Sequence, residues 1–131
     1  MKLTVQHIDN LRFLIAADQH TGIVDAAPED GGGGTAMSAP CLFVASIGAC
    51  VLEFVINSCR LRDVPVEQLS LDMTYEEAPG PRRVATLEAT LHLEPEPPFD
   101  VKRRLIGVAR HATLVNTLTH PPELDIRFAG A

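Results

Sequence analysis

Positive charge is in short supply. The 131 residues carry 11 Lys and Arg against 17 Asp and Glu, a formal net charge of −6. A nucleic-acid surface needs Lys and Arg gathered on one face. The two basic clusters, Arg82-Arg83 and Lys102-Arg103-Arg104, both have acidic residues nearby and read as solvated surface. Cysteine is sparse and odd in number, three in all, which excludes a disulfide scaffold and fits a reducing, cytoplasmic compartment. The opening MKLTVQHIDN lacks the apolar core of a signal peptide. His7, His20, His92, His111 and His120 share no metal-ligand spacing with one another or with cysteine, so neither a metal nor another cofactor is expected. His111 reads as surface. No Ser-His-Asp or nucleophile-elbow pattern is present. Gly31 to Gly34 are followed by no Lys-Ser or Lys-Thr pair and give no GxGxxG spacing, so a flexible connection is expected there rather than a phosphate loop. Internal repeats and coiled-coil heptads are absent too.

What is present centres on Ser38 to Arg60, SAPCLFVASIGACVLEFVINSCR, the longest apolar run and the home of all three cysteines. The length suits one domain over residues 1–131 with a single core. The run is nearly long enough to cross a bilayer, but Glu53 and Asn57 interrupt it and both are expensive in lipid, so no membrane partner is expected. It reads instead as a central helix buried by the rest of the fold. Ser38 is placed to cap it, with Pro40 tolerated in its first turn, and Asp63 and Pro65 close it.

Strand patterns flank this helix. Leu3 and Val5 alternate with polar residues, Asp9-Asn10 offers a turn, Leu11 to Ala17 reads as a second strand, Asp18 to Gly22 as a turn, and Ile23-Val24 as the start of a third strand. After the helix, Leu69, Leu71, Met73 and Tyr75 share one face of a strand over 68–77. The turn Ala78-Pro79-Gly80-Pro81 leads into a return strand over 83–93, with Leu87, Ala89, Leu91 and Leu93 on one face. Asp100 can cap a second helix whose apolar positions, Val101, Leu105, Val108, Ala109, Ala112, Val115 and Leu118, recur at helical spacing until His120-Pro121-Pro122. Leu124, Ile126 and Phe128 supply a final strand. The expected order βββ-α-ββ-α-β is an α+β architecture.

At about 100° per residue, Ser46, Cys50, Glu53 and Asn57 fall within roughly 60° of one another and make a polar stripe along the apolar central helix. Such a stripe needs partners, either by lining a pocket or by facing a second copy. Cys41 and Cys59 each stand nine residues from Cys50, on the opposite side and about 13 Å along the axis, which excludes a disulfide to Cys50 while the helix is intact. Those two read as core, and Cys50 is the candidate for chemistry. Gly48 and Ala49 leave little bulk beside it, so another backbone or helix can approach closely. A carboxylate one turn away, Glu53, works against the thiolate, so a reactive Cys50 calls for a nearby Arg or Lys. Arg12 is one candidate.

The segment Leu42 to Cys50, LFVASIGAC, resembles the signature LLLASLGAC around the first cysteine of the OsmC/Ohr family of thiol-dependent peroxidases. The glycine loop before it, the strand after it, and VARHATLVNTL over 108–118, similar to the family's IAERCPVHRTL, extend the resemblance over most of the chain. The resemblance implies an OsmC-like fold, stable as an intertwined homodimer with active sites at the subunit interface. It also implies that in peroxidatic members the first cysteine, matched here by Cys50, attacks a hydroperoxide, a second cysteine forms a disulfide with it, and an external dithiol reduces that disulfide. The family's second, resolving cysteine falls on Ala112, its proline on Thr113 and its histidine on Val115, while the glutamate nine or ten residues before the first cysteine falls on Cys41 or Pro40. The two-cysteine cycle is therefore absent. Two expectations remain: a single-cysteine redox protein acting through Cys50, with Ser46, Glu53 and Asn57 as binding residues, or a non-peroxidatic member that binds a small apolar ligand or a protein at the dimer-interface pocket.

Overall fold

Three short strands separated by two tight turns open the chain, and the reason lies in residues that tolerate a left-handed backbone. The computed structural model describes residues 1–130. Strands β1 (Leu3–Asp9), β2 (Arg12–Ala17) and β3 (His20–Asp25) form an antiparallel sheet in that order. Asn10 (φ 38°) and Asp18 (φ 53°) turn the chain between them, as short polar side chains can. The second turn takes only Asp18 and Gln19, so β3 begins at His20, earlier than the expected Ile23. Contacts gather the chain into two units: Met1–Ala45 with Tyr75–Leu87, and Ser46–Thr74 with the residues from Glu88 onward.

In the first unit, β3 ends on two buried residues, Val24 and Asp25. A short 3-10 turn, Pro28–Asp30, and the glycine run follow. This connection is tied down rather than flexible. Gly32 N–H donates to Ala27 O (3.0 Å), Gly34 N–H to Ala26 O (3.2 Å) and Asp25 N–H to Met37 O (3.2 Å). Gly32 is required for the folding-back, because a Cβ there would run into the backbone carbonyl of Ala26.

Helix α1 (Ala39–Leu61) begins in the first unit and continues in the second. Val44, Ile47, Gly48, Val51, Val55 and Cys59 are buried, a run at helical spacing that defines one inward side. The helix is expected to be buried as a whole, but Phe43, Ala45, Ser46, Ala49, Glu53, Asn57 and Arg60 are exposed, because the described elements pack on its other side. Gly48 admits Met73 and Leu71 of β4 (Gln68–Ala78), where a Cβ would meet the Met73 sulfur.

β4 pairs with β5 (Arg83–Glu94). Leu69, Leu71, Met73 and Tyr75 are half-buried and alternate with exposed Gln68, Ser70, Asp72 and Thr74, as the pattern predicts. On β5, Leu87, Leu91 and Leu93 are half-buried but Ala89 is exposed. The single helix expected over 101–118 is two, α2 (Phe99–Ala109) and α3 (Thr113–Thr119). His111 N–H bonds back to Val108 O (3.1 Å) and Ala112 N–H to Ala109 O (3.3 Å), tightening the last turn. Ala112 then takes an extended conformation (ψ 148°) and is completely buried. Asp100 lies inside the first turn of α2, while Pro98 holds the cap position with no side-chain bond. The expected strand over Leu124 to Phe128 is not formed. Leu124, Ile126 and Phe128 are 82%, 83% and 85% exposed, because alternation alone makes no strand without an edge to pair with.

Candidate functional site

The site is assembled by α1. Ser38 Oγ accepts the Cys41 N–H at 3.3 Å, the cap expected from the sequence, and Pro40 sits in the first turn, where its missing N–H costs nothing. From that start the 3.6-residue turn carries Ser46, Cys50, Glu53 and Asn57 to one side, and the structure leaves that side open. Ser46, Glu53 and Asn57 are exposed and Cys50 is half-buried. The four stripe residues are thus brought together as expected, on the outside of the chain rather than in a closed pocket.

The three thiols differ. Cys59 is fully buried, and burial pushes its thiol up, away from the reactive thiolate. Cys41 is half-buried at the start of the helix, less enclosed than the core role expected for it. Cys50 combines partial exposure with the small neighbours Gly48 and Ala49.

Arg12, the cation suggested for Cys50, is already engaged. Its Nε and terminal nitrogen grip both oxygens of Asp9 at 2.7 and 2.8 Å. The guanidinium holds the Asp9 carboxyl below the usual range, and the carboxylate raises Arg12 in turn. Ala112, where the resolving cysteine would fall, is a buried residue at the break between α2 and α3. His111 is exposed.

Two features of the first unit escape sequence reading. Asp25, completely buried, accepts the Thr35 hydroxyl at 2.6 Å and the N–H groups of Thr35 (3.0 Å) and Gly33 (3.2 Å). These bonds, the Thr35 hydroxyl first, hold its carboxyl below the usual range despite burial. Arg82, expected to be merely solvated, donates to Glu77 (2.9 Å) and Asp30 (3.0 Å), fastening the 3-10 turn to β4. Charge close by in sequence hinted at Glu77; nothing local pointed to Asp30 or to the partners of Asp25.

A sequence model of the OsmC-like protein family matches residues 31–127. Curated proteins include no significant match. Among solved structures, the chain resembles a Psychrobacter arcticus protein described for osmotic stress induction and a detoxification response, with TM-score 0.85 at 20% identity over 89% of this chain and 87% of that one. An OsmC-like protein from Mycoplasma pneumoniae gives TM-score 0.79 at 14% identity over 92% and 87%. The organic hydroperoxide resistance protein OsmC of Legionella pneumophila gives 0.68 at 16% over 90% and 89%. At these identities the structures speak for the fold, and the family match covers most of the chain. With its α+β fold, long helix and signature segment, the chain belongs to the OsmC-like family.

Proposed function

We propose that the chain is a soluble, cytoplasmic redox protein in which Cys50 reduces an organic hydroperoxide and an external thiol restores it. One observation carries the reading: the cysteine at the family's signature position lies half-buried on the open side of α1, while Cys59 is sealed in the core. A sealed thiol neither meets substrate nor ionises readily. The name of the Legionella protein supplies the substrate class. In the reaction the Cys50 thiolate attacks the terminal peroxide oxygen. An S–O bond forms as the O–O bond breaks, and the departing alkoxide takes up a proton to become an alcohol. The peroxide gains two electrons, the sulfur loses two, and Cys50 becomes a sulfenic acid. A thiol from solution condenses with it and releases water; a second thiol then displaces Cys50 from the mixed disulfide. With Ala112 in the resolving position, the second sulfur must come from outside the chain. Ser46, Glu53 and Asn57 flank Cys50 and bind the polar part of the substrate.

The open side of α1 also takes a second copy of the chain. The accessible surface is 9959 Å², roughly half as much again as the ~6,800 Å² expected of a folded monomer of this mass. The excess includes exposed apolar residues: Leu3, Val5 and Ile23 on the sheet, and Leu124, Ile126 and Phe128 near the end of the chain. Exposed apolar area of this extent marks an interaction surface. α1 is long and apolar enough to span a membrane, with mean hydropathy 2.2, but Glu53 and Asn57 on its open side favour a protein partner over lipid.

The second reading, a family member that binds a small apolar ligand or a protein without peroxidase chemistry, draws on Ala112 and on Pro40 and Cys41 at the glutamate position. Turnover of cumene hydroperoxide with dithiothreitol separates the two. Cys50→Ser should drop the rate to the uncatalysed level while Cys59→Ser retains most of it. Equal rates for Cys50→Ser and the natural chain overturn the redox reading.

A further inference from the structure

The first unit contains a cleft that the redox reading leaves unused. Its volume is about 730 Å³, inside the roughly 300–1,000 Å³ of small-molecule sites. One wall is apolar and aromatic: Phe13 of β2 lies opposite Val24 of β3 in the sheet register, with Leu11 beside them and Tyr75 of β4 also lining the space. The lining carries unequal charge. Glu29, Asp30 and Glu77 contribute three carboxylates, and Arg82 is the single cation. Its guanidinium is already matched by Asp30 at 3.0 Å and Glu77 at 2.9 Å, so a ligand meets a net negative field. An anionic ligand would have to draw Arg82 away from both partners. A cation meets carboxylates and two aromatic side chains, Phe13 and Tyr75, the residue types that together recognise ammonium groups.

We propose that this cleft binds a small organic cation with an aromatic or aliphatic body, the body against Phe13, Val24 and Tyr75 and the charge toward Glu29, the lining carboxylate that Arg82 does not engage. The proposal does not use the Cys50 thiol, so binding in the cleft and hydroperoxide turnover are read by separate measurements.

The test is a titration of the whole chain, followed by amide NMR shifts at constant ionic strength, with three probes of similar size: benzyltrimethylammonium, benzyl alcohol and phenylacetate. Benzyltrimethylammonium should saturate, with the largest shifts at Phe13, Val24 and Tyr75, and bind about tenfold or more tightly than either other probe. Glu29 is exposed on the 3-10 turn, so Glu29→Gln leaves the fold intact and should weaken the cation about threefold, as befits one partly screened charge. Phe13→Leu should weaken it while preserving the preference for the cation. Three results each overturn the proposal: no saturable binding of the cation, equal or tighter binding of the alcohol or phenylacetate, or shifts confined to residues outside the cleft.

Discussion

Asp25 ties sequence to local structure through a single carboxylate. Its three hydrogen bonds stabilise the ionised form, so its folded pKa lies below the unfolded value. The sign follows directly: the stabilisation is fully present above the unfolded carboxyl pKa, about 3.9, and is lost as pH falls through that value toward the lower folded one. Urea unfolding from pH 7 to pH 3 should therefore show an acid loss of stability that is smaller in Asp25→Asn, whose midpoint at pH 7 is lower from the outset. An unchanged midpoint at pH 7 would mean that the loop holds without it. None of this was legible in the sequence, because the bonding partners lie eight and ten residues away with no periodic signal between them. Arg82 and Asp30, 52 residues apart, were hidden for the same reason. Ser38 was legible, since a cap acts within three residues of itself.

Among the elements, α1 separates into a side the chain covers and a side it does not. Val55 is completely buried, and Val55→Ala should cost about 2 kcal/mol of unfolding free energy through lost burial and the cavity left behind. Asn57→Ala, on the open side, should change it by less than about 0.5 kcal/mol in the unpaired chain. Denaturant midpoints at low protein concentration compare the two. The helix and the strands were readable because periods of 3.6 and 2 record burial directly in the sequence. The break at Ala112 was not, since the apolar spacing runs through it and neither Gly nor Pro marks it. The segment Leu124, Ile126, Phe128 records the opposite limit: alternation states a preference for strand, and the pairing edge that realises a strand lies outside the local sequence.

For the whole molecule, the proposed pairing and the proposed chemistry share one side of one helix. Sedimentation at micromolar concentration should give about twice the 14.2 kDa chain mass. Ala49→Arg, which places a bulky charge at an exposed position beside Cys50, should shift the population toward the single chain. A monomer in the natural protein contradicts the pairing. If Cys50 is the sulfur that meets the peroxide, its sulfenic acid can be trapped. The protein is exposed to cumene hydroperoxide in the presence of dimedone, and the adduct is located by peptide mass spectrometry. Dimedone should appear on the Cys50 peptide within the time of one turnover, with Cys59 unlabelled. An unlabelled Cys50 in protein that still consumes hydroperoxide, or labelling of Cys41 alone, would contradict it.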